Sequence, residues 1–339
     1  MILAVIGLIL NPISAPAKEK VVKLVLASWE PPNSPSTITF EQFAKDLKAA
    51  FPGRLEISLQ FGGTLGKPTE YYDIARNGTA DISFLATAYT PGRFPVMDLL
   101  VLPVKSTSSK CMTSAILHLR DKGFLDKEFA ATKLLWLAGT PPYLFQSAPN
   151  KAIKTLNDIK GLKIRAAGQM GKAAEALGAI PVGMPMTDVY TSLQRGVIDA
   201  TMNSPDTIAI FKLNEVIESV TEYNMSALPM AVAMNKDSFE KLPADMKAFI
   251  EKTKMKYSEA LSAYMDGRAA KGWEIVKKEG KKVYRFTDDE IDKMLQLFVP
   301  VWADYIKEFE GKGFPVKAAS DELGSYLTSK FGIKKPIPR

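Results

Sequence analysis

Apolar and polar positions along this chain follow two rhythms, one of period two and one near 3.6, and together they predict strands alternating with helices. Residues 21–27 read as a strand. Phe40, Phe43, Leu47 and Ala50 then recur at i, i+3, i+7 and i+10, the spacing of one helix face. Leu55, Ile57 and Leu59 alternate with Arg54, Glu56, Ser58 and Gln60, which predicts a half-buried strand. Leu162 and Ile164 alternate with Lys163 and Arg165 between Gly161 and Gly168, so a further strand ends on an arginine just ahead of a helical stretch. Thr287-Asp288-Asp289-Glu290 forms a capping box that opens a long amphipathic helix through Met294, Leu297 and Trp302. Strands alternating with helices of this size imply βαβ units on mainly parallel sheets.

The pattern also repeats. Thr69-Glu70-Tyr71-Tyr72 leads through a helix to Gly78-Thr79-Ala80-Asp81, and Thr187-Asp188-Val189-Tyr190 leads through another to Gly196-Val197-Ile198-Asp199, offset by 118 residues. In each copy the threonine suits an N-cap and the acid that follows suits the positive helix end. The glycine suits the left-handed position past the helix, and a short apolar strand comes next. Five matched positions in register predict two similar α/β lobes, in keeping with a length of 339 residues, which exceeds a single core.

Composition narrows the class. Apolar residues make up 46% and charged residues 24%, the mix of an ordinary globular chain. A net charge of +7 raises the question of nucleic acid, but the lysines are dispersed, with density only in Lys277-Lys278-Glu279-Gly280-Lys281-Lys282, and no aromatics are interleaved for base stacking. The expectation is a basic surface that helps steer an anion, with no nucleic-acid partner. Ile2 to Leu10 is an unbroken apolar run, followed by Ala15-Pro16-Ala17, which reads as a cleavable export leader although no basic residue precedes the run. Cys111 is the single cysteine, so no internal disulfide forms and no lipid-anchoring cysteine lies near the cleavage point.

The usual catalytic sets are missing. His118, the single histidine, lies seven residues from Cys111 in one predicted helix, about 10 Å away along its axis, too far for a Cys-His dyad. No Cys, His and acid cluster has zinc spacing. Gly62 to Lys67 resembles a phosphate loop, but Pro68 stands where Ser or Thr must hold magnesium, so the segment reads as a glycine-rich turn into a Pro-started helix. Arg165 is the sharpest candidate. It stands at the carboxyl end of a strand beside a helix start, where open α/β sheets bind small ligands, and a guanidinium grips a carboxylate with two parallel bonds. Spacing alone leaves a surface arginine equally open.

Several segments in order carry a family resemblance. They are Gln60-Phe-Gly-Gly-Thr-Leu-Gly66, Arg76-Asn-Gly-Thr-Ala-Asp81, Leu156-Asn-Asp-Ile-Lys-Gly-Leu-Lys-Ile-Arg165, Ala176-Leu-Gly-Ala-Ile-Pro-Val-Gly-Met-Pro185 and Val189-Tyr-Thr-Ser-Leu-Gln-Arg-Gly-Val-Ile-Asp199. Over nearly the whole mature chain the sequence resembles the solute-binding proteins of tripartite ATP-independent periplasmic (TRAP) transporters.

The resemblance implies a two-lobed, type II periplasmic-binding-protein-like α/β fold, with a ligand cleft between the lobes and a long helix crossing both. The expected partition is a leader over 1–17, lobe I over 18–142 and 228–268, lobe II over 143–227 and 269–305, and a C-terminal segment over 306–339 packing back on the lobes. It further implies a periplasmic receptor, not an enzyme, that needs no cofactor or metal and delivers an organic acid to membrane permease subunits. Arg165 matches the arginine that pairs with the ligand carboxylate, and a sulfonate would suit it nearly as well. Asn203 matches its companion, Thr87 to Tyr89 the lobe I wall, Met186 a position packed on the ligand, and Gly168 closes the strand-end turn. Phe145 stands where sialic-acid-type members carry a second arginine. This departure predicts a less polar pocket for a monocarboxylate with an apolar, aromatic or 2-oxo body, with Trp29 and Tyr143 as further aromatic walls. Trp29, Tyr143 and Phe145 also read as core residues. A receptor for another transporter or a signalling partner, and an enzyme on the same scaffold, are the alternatives.

Overall fold

The computed structural model describes residues 21–338, and the expected leader lies outside them. The strands are β1 (Val22–Ser28), β2 (Leu55–Gln60), β3 (Ile82–Ala86), β4 (Thr132–Gly139), β5 (Tyr143–Ser147), β6 (Lys163–Arg165), β7 (Ile180–Val182), β8 (Ala200–Asn203), β9 (Ser219–Met225), β10 (Pro229–Asn235) and β11 (Lys282–Arg285). They form two sheets, ordered β2-β1-β3-β10-β4 and β11-β9-β5-β8-β6-β7. Each sheet is the floor of one lobe.

The β1–β2, β1–β3, β6–β7, β6–β8 and β9–β11 pairings are parallel. The antiparallel pairings all involve β10 or β5. These are the two strands on which the chain passes from one lobe to the other. A chain that crosses over enters the new sheet against the direction set by its βαβ units, so the sheets are mixed at that strand and parallel beyond it.

The repeat has a structural counterpart. Helix Tyr71–Arg76 is followed by Gly78 at φ 75°, and helix Val189–Gln194 by Gly196 at φ 68°. Both glycines take the left-handed turn that side chains disfavour. The Asp81 N–H donates to the Val25 carbonyl at 3.0 Å, and the Asp199 N–H to the Lys163 carbonyl at 2.8 Å. Each carboxylate reaches back to the same neighbour, accepting from Val25 N at 2.7 Å and from Lys163 N at 2.9 Å. One aspartate thus clamps two parallel strands in each lobe. The threonines do not cap these helices. Thr69 and Thr187 sit inside short 3-10 turns, Pro68–Glu70 and Met186–Asp188, that run straight into the helix and move its boundary one residue on.

Helix Pro35–Ala50 buries Phe40, Phe43 and Leu47, while Ala50 is exposed at its last position. Phe43 meets Trp136 of β4 and Tyr257 edge-on at centroid distances of 4.8 and 5.0 Å. Tyr257 belongs to the helix Ala244–Lys278, 35 residues long, which packs on the first lobe through β4 and helices Pro35–Ala50 and Ser109–Asp121. Its far end packs on helix Asp206–Ile210, just after β8 of the second sheet. Gly272 permits that approach, since a Cβ there would lie 2.1 Å from the Pro205 carbonyl oxygen. Helix Asp288–Glu310 carries the predicted Thr287/Glu290 capping box. Met294 and Trp302 are buried, whereas Leu297 is exposed and lies off the buried face. Trp302 and Tyr305 donate to the carbonyls of Pro103 and Pro95, tying the helix back to lobe I. Among the described residues no helix is long and apolar enough to cross a membrane.

Candidate functional site

Sheet register decides which side chains share a face, because cross-strand partners point the same way and neighbours along a strand point oppositely. Arg165 pairs with Thr201, so Arg165, Thr201 and Asn203 lie on one face of the second sheet. Phe145 pairs with Met202 and therefore lies on the other face. There it is fully buried against the rings of Tyr223 and Phe286, within lobe II and away from Arg165. The position expected to make the pocket aromatic belongs to the core.

Arg165 is 1% exposed. Its Nε and Nη2 donate to the Met184 carbonyl at 3.0 and 2.9 Å, and Nη2 also donates to the Tyr89 hydroxyl at 3.3 Å. Among the described residues no carboxylate pairs with this guanidinium, and Nη1 bonds no protein acceptor. The Tyr89 hydroxyl also accepts from Met186 N at 3.1 Å, so one lobe I side chain bridges two points of lobe II. Asn203 Nδ2 lies 2.7 Å from Met186 Sδ, while its Oδ1 accepts from Ser204 N. Tyr143 is fully buried at the bulge that starts β5, and its hydroxyl has no partner among the described residues. Burial pushes its ionisation upward, with Arg165 close enough to oppose that shift.

Tyr89, Met186 and Asn203 also line a small cavity of about 20 Å³ between the lobes, close to the volume one water needs. Trp29, Phe211, Glu30 and Asp206 complete much of its wall. Trp29 lies 5.7 Å from Tyr89 and 6.5 Å from Phe211, centroid to centroid. The lobes also touch directly. Gly168, at φ 54°, lies so near Ala88 that a Cβ would come within 2.9 Å of the Ala88 Cβ. Thr87 is buried in the same lobe I turn, where its hydroxyl donates to the Pro229 carbonyl at 3.1 Å.

Of the residues singled out in the sequence, Arg165, Tyr89, Met186, Asn203, Trp29, Gly168 and Tyr143 converge here. Thr87 braces the turn from behind, and Phe145 is elsewhere. Phe211 escaped the sequence reading, and so did two acids. Glu30 follows Trp29 past β1, and its Oε2 accepts from Ser36 Oγ and Ser36 N at 2.5 and 3.3 Å. Burial raises its pKa to about 7, and Asp206 adds to the effect. Burial likewise raises Asp206 to about 6. A lone acid beside proline reads as loop surface, so only the neighbouring Trp29 and Asn203 gave a hint of them. No group of three or more His, Cys, Asp or Glu among the described residues is placed to hold a metal. Cys111 is buried, and His118 pairs instead with Glu322 at 2.6 Å and stacks on Tyr326.

Comparison with known proteins gives the family and the fold. The model of the family described as bacterial extracellular solute-binding protein, family 7, matches residues 26–308. A solute-binding protein of Verminephrobacter eiseniae is 27% identical over 302 residues, covering 86% of this chain and 86% of that protein. A TRAP solute-binding protein from Rhodoferax ferrireducens, solved with copurified benzoate, has a TM-score of 0.84 at 24% identity and covers 92% of this chain and 100% of its own. A marine metagenome TRAP protein specific for aromatic acid ligands, solved with metahydroxyphenylacetate, has a TM-score of 0.83 at 26% identity, over 90% of this chain and 99% of that one.

Proposed function

The chain belongs to family 7 of the bacterial extracellular solute-binding proteins, the receptors of TRAP transporters, and from that premise we propose that it closes its lobes on an organic acid anion held by Arg165 and delivers it to a TRAP permease. One observation carries the reading: a guanidinium 1% exposed that no protein carboxylate neutralises. Burying an unpaired charge is costly, and such a charge persists where a ligand supplies its partner. The planar fork of arginine suits a carboxylate, or nearly as well a sulfonate. Asn203, on the same sheet face, is the second polar contact. Met186, Gly168 and Tyr143 would surround the acid end, and the Thr87-to-Tyr89 turn would press on it from lobe I.

The body of the ligand would lie against Trp29, Tyr89 and Phe211, whose rings favour a flat or apolar skeleton. A similar protein is specific for aromatic acid ligands, which supports the same choice. Phe145 does not contribute to this wall. The cavity of about 20 Å³ is too small for such a ligand, so the lobes must part to admit it. Residues 21–142 and 228–268, together with the end of helix Asp288–Glu310 that Trp302 and Tyr305 tie to Pro103 and Pro95, would move as one body against 143–227 and 269–301.

A thermal-shift screen of organic acids at 1 mM tests the reading. A micromolar ligand stabilises the folded chain by about 4 kcal/mol. Arg165→Ala should erase the shift given by every acid that raises the melting temperature of the wild type. A shift that survives the substitution overturns the assignment.

A further inference from the structure

Two acids stand in the cleft of a receptor for acids. Glu30 and Asp206 are 4% and 5% exposed, and both line the cavity that Tyr89, Met186 and Asn203 bound. An ordinary organic anion entering here would meet one guanidinium and two carboxyl groups, so the cleft would carry a surplus of negative charge. A buried acid without a cation shifts toward its neutral form, and a cation brought beside it restores the charge.

The hydrogen bonds point the same way. Glu30 Oε2 is held by Ser36, at the start of helix Pro35–Ala50. Asp206 is held less firmly: the Ser204 hydroxyl and the N–H groups of Asp206 and Thr207 lie near its carboxyl, but its buried Oδ1 meets no donor in good hydrogen-bond geometry among the described residues. A buried acceptor without a donor is costly unless a donor arrives. The walls beside it are the rings of Trp29, Tyr89 and Phe211. Aromatic faces next to carboxylates are the setting in which proteins hold cationic nitrogen.

We infer that the ligand is a zwitterion, with a carboxylate for Arg165 at one end and a protonated nitrogen bearing N–H groups for Asp206 and Glu30 at the other. The inference rests on the carboxylate reading of Arg165 and adds the second pole. A hydroxyl at that end would satisfy Asp206 Oδ1 but leave the charge of the two acids uncompensated. A quaternary ammonium would compensate the charge but leave Oδ1 without a donor. A nitrogen that is both charged and protonated answers both observations at once. Burial raises both acids toward neutrality in the free protein, Glu30 to about 7 and Asp206 to about 6, and a cation arriving beside them favours their ionised forms.

Matched acids that differ only at the far end test the proposal on the full mature chain. One set is 4-aminobutanoate, 4-hydroxybutanoate and pentanoate; another is 3-(aminomethyl)benzoate, 3-(hydroxymethyl)benzoate and 3-ethylbenzoate. Thermal shift ranks them, and calorimetry measures the members that bind. Within at least one set the ammonium member should bind about tenfold or more tighter than the methyl-ended member. Glu30→Gln and Asp206→Asn, each checked for a cooperative melt, should bring that ratio toward one, and Arg165→Ala should remove binding of the whole set. If no ammonium member binds, or if methyl-ended acids bind as tightly as their ammonium partners, the proposal is overturned. Simple acids that bind only when Arg165 is present would overturn the second pole and leave the carboxylate reading standing. Binding of any member that survives Arg165→Ala would overturn the carboxylate reading itself.

Discussion

Two lobes carry the same clamp and put different chemistry beside it. Asp81 holds β1 as Asp199 holds β6, through the same pair of bonds to Val25 and to Lys163. Aligning the lobes on those clamps sets Ala27 opposite Arg165 and Leu85 opposite Asn203. Lobe I therefore has alanine and leucine, both buried, where lobe II has its charged and polar pair. Further along, the order reverses: Glu30 in lobe I corresponds to Gly168 in lobe II. A repeated scaffold was kept while its two copies took different shares of the cleft's polarity. What the two lobes share explains how they fold, and where they differ is where the proposed ligand would lie.

The largest test of this contrast removes the polar member of the pair. Arg165→Ala should lower ligand affinity by about 2–5 kcal/mol, roughly 30-fold to several thousand-fold by calorimetry, because its partner is buried. Next comes the acid that only lobe I carries. Glu30 binds its proton more tightly folded than unfolded, with a pKa of about 7 against 4.5. Its contribution to stability is then present in full below pH 4.5 and is lost as pH rises toward 7. Denaturant titrations should show the wild type losing on the order of 3 kcal/mol over that range relative to Glu30→Gln. A parallel pair of curves would show that Glu30 ionises freely.

The shared clamps should behave alike. Asp81→Ala and Asp199→Ala each remove a charged acceptor from a strand N–H, and each should lower stability by about 1.5–3 kcal/mol in urea unfolding. A loss confined to one of them would break the equivalence of the two lobes. The smallest effect belongs to the bridge between them. Tyr89→Phe deletes a hydroxyl that accepts from Arg165 and Met186 N. It should weaken ligand binding by about 0.5–1.5 kcal/mol and leave the melting temperature of the free protein nearly unchanged.

Much of this was legible in the sequence, and the limits have physical causes. Period-two runs found β2 and β6 because each buries one face more than the other. The repeat found two lobes because glycine is needed past each helix and aspartate at each clamp. Arg165 stood out because it ends a strand. Phe145 was misplaced for want of register: twenty residues of chain separate it from Arg165, and only the pairing with Met202 reveals the face it takes. Leu297 keeps helical spacing with Met294 yet points to solvent, since one residue of a stripe can fall beyond its edge. Glu30 and Asp206 were invisible because a buried carboxylate and a solvated one are spelled the same. Their meaning comes from β1 and β8 ending at one cleft, a fact of topology.

The contact between Gly168 and Ala88 has a mechanical reading. At this point the lobes approach with one hydrogen on one side and one methyl on the other, so the closed position is defined to within less than a carbon atom. Such a contact works as a calliper. On the proposed closure, a ligand one methylene too long for its berth would hold the jaws apart here even with every bond to Arg165 already made. Selection by length would then be exercised by whether the jaws meet.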